Sequence, residues 1–107
     1  MSHNPAYAVY PNRIYSYHTC IRQRLPNGLT IGNVTRYSRL TSIHQAQAKC
    51  RQCDIILDYV PRDTDDLLHI ALDRGAVEYA HGQYRKVCDI EDILMGDTQP
   101  MVAVSYP

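Results

Sequence analysis

The first 53 residues of this chain contain no aspartate and no glutamate. Tryptophan and phenylalanine are missing throughout, while tyrosine occurs nine times. Every large aromatic ring therefore carries a hydroxyl, which suits half-exposed packing or a contact surface. No apolar run approaches the roughly 20 residues that a membrane-spanning helix needs. The opening MSHNPAYAVYPNR lacks the apolar core of a signal peptide. The expected setting is cytoplasmic, with no membrane partner, and in that reducing compartment the four cysteines are thiols or ligands rather than disulfides. No Gly-rich phosphate loop, paired-carboxylate motif or nucleophile elbow occurs, so no recognised catalytic signature is present.

At 107 residues the chain reads as one domain, long enough to bury a core without staples. Its net charge is zero, but the charges are unmixed. Seven bases (Arg13, Arg22, Arg24, Arg36, Arg39, Lys49, Arg51) precede Asp54; from there on eleven acids face four bases, so the halves carry +7 and −7. Such asymmetry suggests a polyanionic partner for the basic half.

Residues 1–12, with two prolines, read as an irregular arm that includes a short edge strand between Ala6 and Tyr10. RIYSYHTCIRQR and LTIGNVTRYSR read as strands joined by the turn Pro26-Asn27-Gly28. Facing Leu25 with Leu29 sets Tyr17 against Tyr37 and Cys20 against Val34. That register turns His18, Cys20, Arg22 and Arg24 outward and Tyr15, Tyr17, Tyr37, Ile21 and Ile31 inward. Ser42 with Gln45 forms a capping box, and Ile43, Ala46, Cys50 and Cys53 then make one helical stripe facing the core. DIILDYVP reads as an internal strand, and DTDDLLHIALDRG as a helix capped by Asp63 or Thr64, with acids in its first turn and Gly75 at its end. A second hairpin turns at His81-Gly82, with Glu78 facing Arg85 and Tyr79 facing Tyr84. A short helix after Asp89 and a strand after Pro100 complete the order ββαβαββαβ. The fold class is α+β, a mainly antiparallel sheet with two or three helices on one face.

Three constellations compete. A zinc site could draw on His18, Cys20, His44, Cys50, Cys53 and Cys88, but one CxxC pair within a helical stripe is explained by small apolar residues in a core, so no metal or other cofactor is expected. His18 and Cys20, two apart on a strand, would share a face and could form an activated thiol, the enzyme reading. Arg22, Arg24, Arg36 and Arg39 could hold phosphates, with Tyr7 and Tyr10 in the arm free to stack on bases. Neutralisation of those arginines by acids of the second half is the plainer alternative. The leading expectation is a small, non-catalytic, cytoplasmic binding protein that docks its basic half on nucleic acid or another anionic partner. Second is a protein-directed inhibitor or adaptor, of the kind carried by phage-like mobile elements, acting through its acidic half or a sheet edge. The Cys/His enzyme comes third.

Overall fold

Tyr17 breaks what the sequence reads as one long strand. Its backbone takes a left-handed turn at φ 58°, and the chain folds back on itself there. The structure, a computed structural model, describes residues 6–87. Cys88, the expected helix after Asp89 and the expected strand after Pro100 lie outside the described residues.

Strands β1 (Tyr7–Val9), β2 (Arg13–Ser16), β3 (Thr19–Arg24), β4 (Thr30–Asn33) and β5 (Ile55–Leu57) form one sheet in that spatial order. Neighbours are antiparallel except β4 and β5, which run parallel. A separate hairpin pairs β6 (Val77–Ala80) with β7 (Gln83–Lys86). Helix α1 (Arg39–Gln47), a 3-10 turn (Cys50–Gln52) and helix α2 (Leu67–Asp73) complete the described elements. The chain is thus an α+β fold with a mainly antiparallel sheet.

The register expected from the Pro26-Asn27-Gly28 turn is the one formed, with Arg24 opposite Thr30 and Gln23 opposite Ile31. It ends sooner than expected. Ser16 pairs with Thr19 across the new turn, and the Val34 N–H donates to Leu57 O rather than to β3. Tyr37 leaves the sheet and its hydroxyl donates to Val60 O at 2.5 Å, so the Tyr17–Tyr37 and Cys20–Val34 pairs are not made.

A bulge then decides which side chains face where. Ile14 opposes Arg22 while Tyr15 opposes Cys20, leaving Ile21 as the extra residue. Cys20 packs with Leu25, Ile31, Ile55, Leu57, Leu67 and Ala71, whereas Ile21 packs with Ala48 and Cys50. Both faces of the sheet are therefore covered, α2 on one and α1 with the 3-10 turn on the other. The single helical face and the outward Cys20 read from the sequence are both overturned.

Helix α1 begins one turn earlier than its sequence suggests. Ser38, not Ser42, accepts the Thr41 N–H as N-cap. The inward stripe becomes Thr41, His44 and Ala48, and Ile43 is half exposed. Buried Ser16 anchors this stripe: its Oγ lies 2.7 Å from His44 Nδ1 and donates to Thr41 Oγ1 at 3.0 Å. Lys49, at φ 57°, ends the helix before the cysteines. Cys50 and Cys53 are buried, but on the 3-10 turn and at its end rather than on the helical stripe.

Helix α2 begins later than expected, with Asp66 as its cap, so the acids precede the first turn rather than fill it. Asp63 sits in the loop at φ 62°. Strand β5, expected to be internal, has β4 as its only strand neighbour among the described residues. Its apolar character reflects burial of Ile55 and Leu57 beneath α2. The last hairpin is as read: Glu78 faces Arg85, Tyr79 faces Tyr84, and His81 and Gly82 both take the positive φ that a two-residue type I′ turn demands.

Candidate nucleic-acid interface

The charges are unevenly distributed between the two layers, although Arg74 caps the end of α2 and Asp54 follows the 3-10 turn. Arg39, Lys49 and Arg51 belong to the α1 layer, and Asp65, Asp66 and Asp73 to α2 and the loop that feeds it. Among the described residues one basic side chain bridges the halves: Arg13 lies 2.9 Å from Asp65 and 3.8 Å from Asp66. The other ion pairs, His69 with Asp73 and Arg85 with Glu78, stay within the second half. Among the described residues no salt bridge reaches Arg22, Arg24, Arg36, Arg39, Lys49 or Arg51.

Three of the basic residues meet at a cavity of about 300 Å³ between α1, the 3-10 turn and the segment after β4. Arg36, Lys49 and Arg51 line it with Ser42, Gln45 and Gln52, and no acid among the described residues takes part. Its walls are fixed by backbone. The left-handed Lys49 swings the chain out of α1, and the 3-10 turn then lies flat on β4 over Gly32. Gln45 Nε2 donates to Asn33 O at 2.8 Å and to Thr35 O at 2.9 Å, tying α1 to the segment that carries Arg36. Three cations beside hydroxyl and amide groups can surround an anion such as a phosphate.

The other expected contacts fare unevenly. Arg24 and Arg39 are exposed, but neither lines this cavity. Arg22 keeps the face expected for it, the one opposite Ile31, but that face is covered by the α1 and 3-10 layer, so it is half-buried and donates to Ala48 O at 2.7 Å. Tyr7 is half-buried with its ring 5.2 Å from that of His44, which takes it out of the free stacking role. Tyr10 remains exposed, edge-on to Tyr15 at 5.7 Å. Tyr17, read as a core residue, is half exposed at the new turn. Lys49 and Arg51 are visible in the sequence among the seven bases, but a continuous helix read through them hides the bend that aims them together.

The thiols are held in their neutral form. Cys50 Sγ donates to Ile21 O at 3.0 Å and Cys20 Sγ to Arg22 O at 3.4 Å. Burial pushes both thiols up to about 12. Burial raises Cys53 as well. That shift runs against a nucleophilic thiolate. His18 lies in the exposed turn while Cys20 is in the core, so the His18–Cys20 pair is not formed. Among the described residues no three His, Cys, Asp or Glu side chains gather into a group that could hold a metal. Nor, among them, is any helix long and apolar enough to cross a membrane.

Comparison with protein-family models, curated proteins and solved structures gives no match. The functional reading therefore rests on this chain's own geometry.

Proposed function

We propose that this chain is a small, non-catalytic binding protein that docks its α1 layer on nucleic acid through phosphate contacts. The observation that carries the reading is the cavity walled by Arg36, Lys49 and Arg51, with no acid among the described residues in its lining. Three acids of the described second half bond elsewhere: Asp65 and Asp66 take Arg13, and Asp54 accepts from the Thr30 N–H and hydroxyl. Cations left unneutralised attract a polyanion, and such contacts carry little sequence information. The free thiols of Cys20, Cys50 and Cys53 suit a reducing compartment, which supports a cytoplasmic setting.

Fluorescence anisotropy with short duplex and single-stranded DNA and RNA tests this reading. Weak binding with little sequence preference is expected at low salt. About three phosphate contacts give a log–log salt slope of about −3 for duplex DNA. Absence of binding at low salt with micromolar protein would remove nucleic acid as the partner. A protein target for the acidic layer would then lead.

A further inference from the structure

A second cavity, of about 560 Å³, opens on the α2 side of the sheet at the β1–β2 edge. Tyr10, Tyr15 and Tyr17 wall it, with Arg13 and Asp65 beneath and Asn12 and His18 on its lining. Its floor is held by a surface network of hydrogen bonds. The Tyr15 hydroxyl donates to Asp65 Oδ1 at 2.5 Å, and Arg13 NH1 donates to Asp65 Oδ2 at 2.9 Å and to Asp65 O at 3.0 Å. Guanidinium and carboxylate thus cancel each other in the wall. The rings of Tyr10 and Tyr17 stand 58% and 50% exposed beside this fixed floor.

That combination selects a ligand class. A quaternary ammonium needs an aromatic cage with negative potential, and here Arg13 pairs with Asp65, the carboxylate that lines the cleft among the described residues. A phosphate would meet Asp65. A purely aliphatic ligand would make no use of the Asn12 amide and the His18 imidazole, exposed at the rim with donor and acceptor atoms. A flat, uncharged ring with hydrogen-bonding edges satisfies the rings and the polar groups together. We infer that this cleft receives a nucleobase, stacked against Tyr10 and Tyr17 with its edge toward Asn12 and His18. The volume lies in the range of small-molecule sites. The inference uses none of the residues of the phosphate cavity and does not depend on it.

The base could be that of a free nucleoside or an unpaired base within a strand. Isothermal titration with the four ribonucleosides, against ribose as control, tests the first source. Short single strands compared with abasic strands of equal length test the second. Submillimolar binding of at least one nucleoside, or tighter binding of the base-bearing strand, is expected. Tyr10→Ala or Tyr17→Asn should each weaken that binding about tenfold, in line with the loss of one stacking partner. Asparagine is chosen at Tyr17 because it tolerates the left-handed backbone there. Both rings are largely outside the core, and unchanged thermal melts would show that the variants fold. Arg51→Ala should leave nucleoside binding unaltered, which separates this cleft from the phosphate cavity. No dependence on a base in either arm would overturn the inference. So would base-dependent binding that survives both tyrosine changes, or a proline-rich peptide that binds in place of every nucleoside and is lost in the same variants.

Discussion

Gly32 lies against the backbone of Cys50 so closely that no side chain fits between them. A Cβ on Gly32 would come within 2.8 Å of the Cys50 carbonyl carbon and nearer still to its oxygen. The obstacle is main chain, which cannot swing aside as a flexible side chain would. Gly32→Ala should therefore lift the 3-10 turn off β4 and destabilise the fold by about 1–3 kcal/mol, the usual cost of overpacking. Urea denaturation measures this. Because Lys49 and Arg51 ride on the same turn, the variant should also lose affinity for DNA under conditions where it remains folded.

Asp66 and Asp65 are neighbours with unequal duties. Asp66 Oδ1 accepts the Leu68 N–H at 3.1 Å and Gln23 Nε2 at 3.0 Å, while Gln23 Oε1 accepts the Leu67 N–H at 2.7 Å. Two of the orphan donors at the start of α2 are satisfied by this clamp. Asp66→Ala should cost about 1–2 kcal/mol, as loss of an N-cap does. Asp65→Asn weakens an exposed pair with Arg13, and the change should stay below about 1 kcal/mol. Equal losses in chemical denaturation would contradict the assignment of the cap to Asp66.

What the sequence makes legible is local chemistry. Pro26-Asn27-Gly28 and His81-Gly82 set two hairpins in the right register, and the apolar period from Leu67 to Ala71 marks α2 correctly. The errors share a physical origin, since each turns on a backbone conformation that its residue does not advertise. Tyr17 and Lys49 take positive φ although neither is a residue that favours it. One splits a strand and the other ends a helix. The bulge at Ile21 likewise leaves no mark in the composition, yet it sends Cys20 and Ile21 to faces opposite those that strict alternation gives. Of the basic site, Arg36 is a candidate on sequence alone. Lys49 and Arg51 are not, because only the bend at Lys49 brings them round to it.

Stability should fall at both extremes of pH. The Tyr15 phenol, with Arg13 behind it, holds the Asp65 carboxyl below the usual carboxylate range. A lowered native value means a contribution that is present above the unfolded value and lost as pH falls below about 4. It is small, because Asp65 is exposed. At the alkaline end, burial raises Cys20 and Cys50 from 9.0 to about 12. The unfolded chain then releases protons first, so stability is complete below about pH 9 and declines as pH rises toward 12. Thermal midpoints from about pH 7 to 11 follow the decline. Alkylation mapped by mass spectrometry offers a second check: rapid modification of Cys20 or Cys50 in the native protein at about pH 8 would contradict their protected state.

Arg22, Arg24 and Arg51 should respond to removal in three different ways. Arg22 donates to Ala48 O at 2.7 Å from a half-buried position, so Arg22→Ala strips a carbonyl of its charged donor and loses stem packing. Destabilisation of about 1.5–3 kcal/mol is expected. Arg24 is exposed and bonds to no acid among the described residues, so Arg24→Ala should change stability by less than about 0.5 kcal/mol. Arg51 lines the basic cavity from an exposed position. Arg51→Ala combined with Lys49→Asn, which suits the left-handed backbone, should leave the melt nearly unchanged while removing two phosphate contacts. The log–log salt slope on duplex DNA should then flatten by about 1.8. Arg24→Ala, by contrast, should leave that slope close to the wild-type value. If Arg24→Ala flattens the slope and the double change does not, the phosphates sit on the β3–β4 hairpin rather than at the bend after α1.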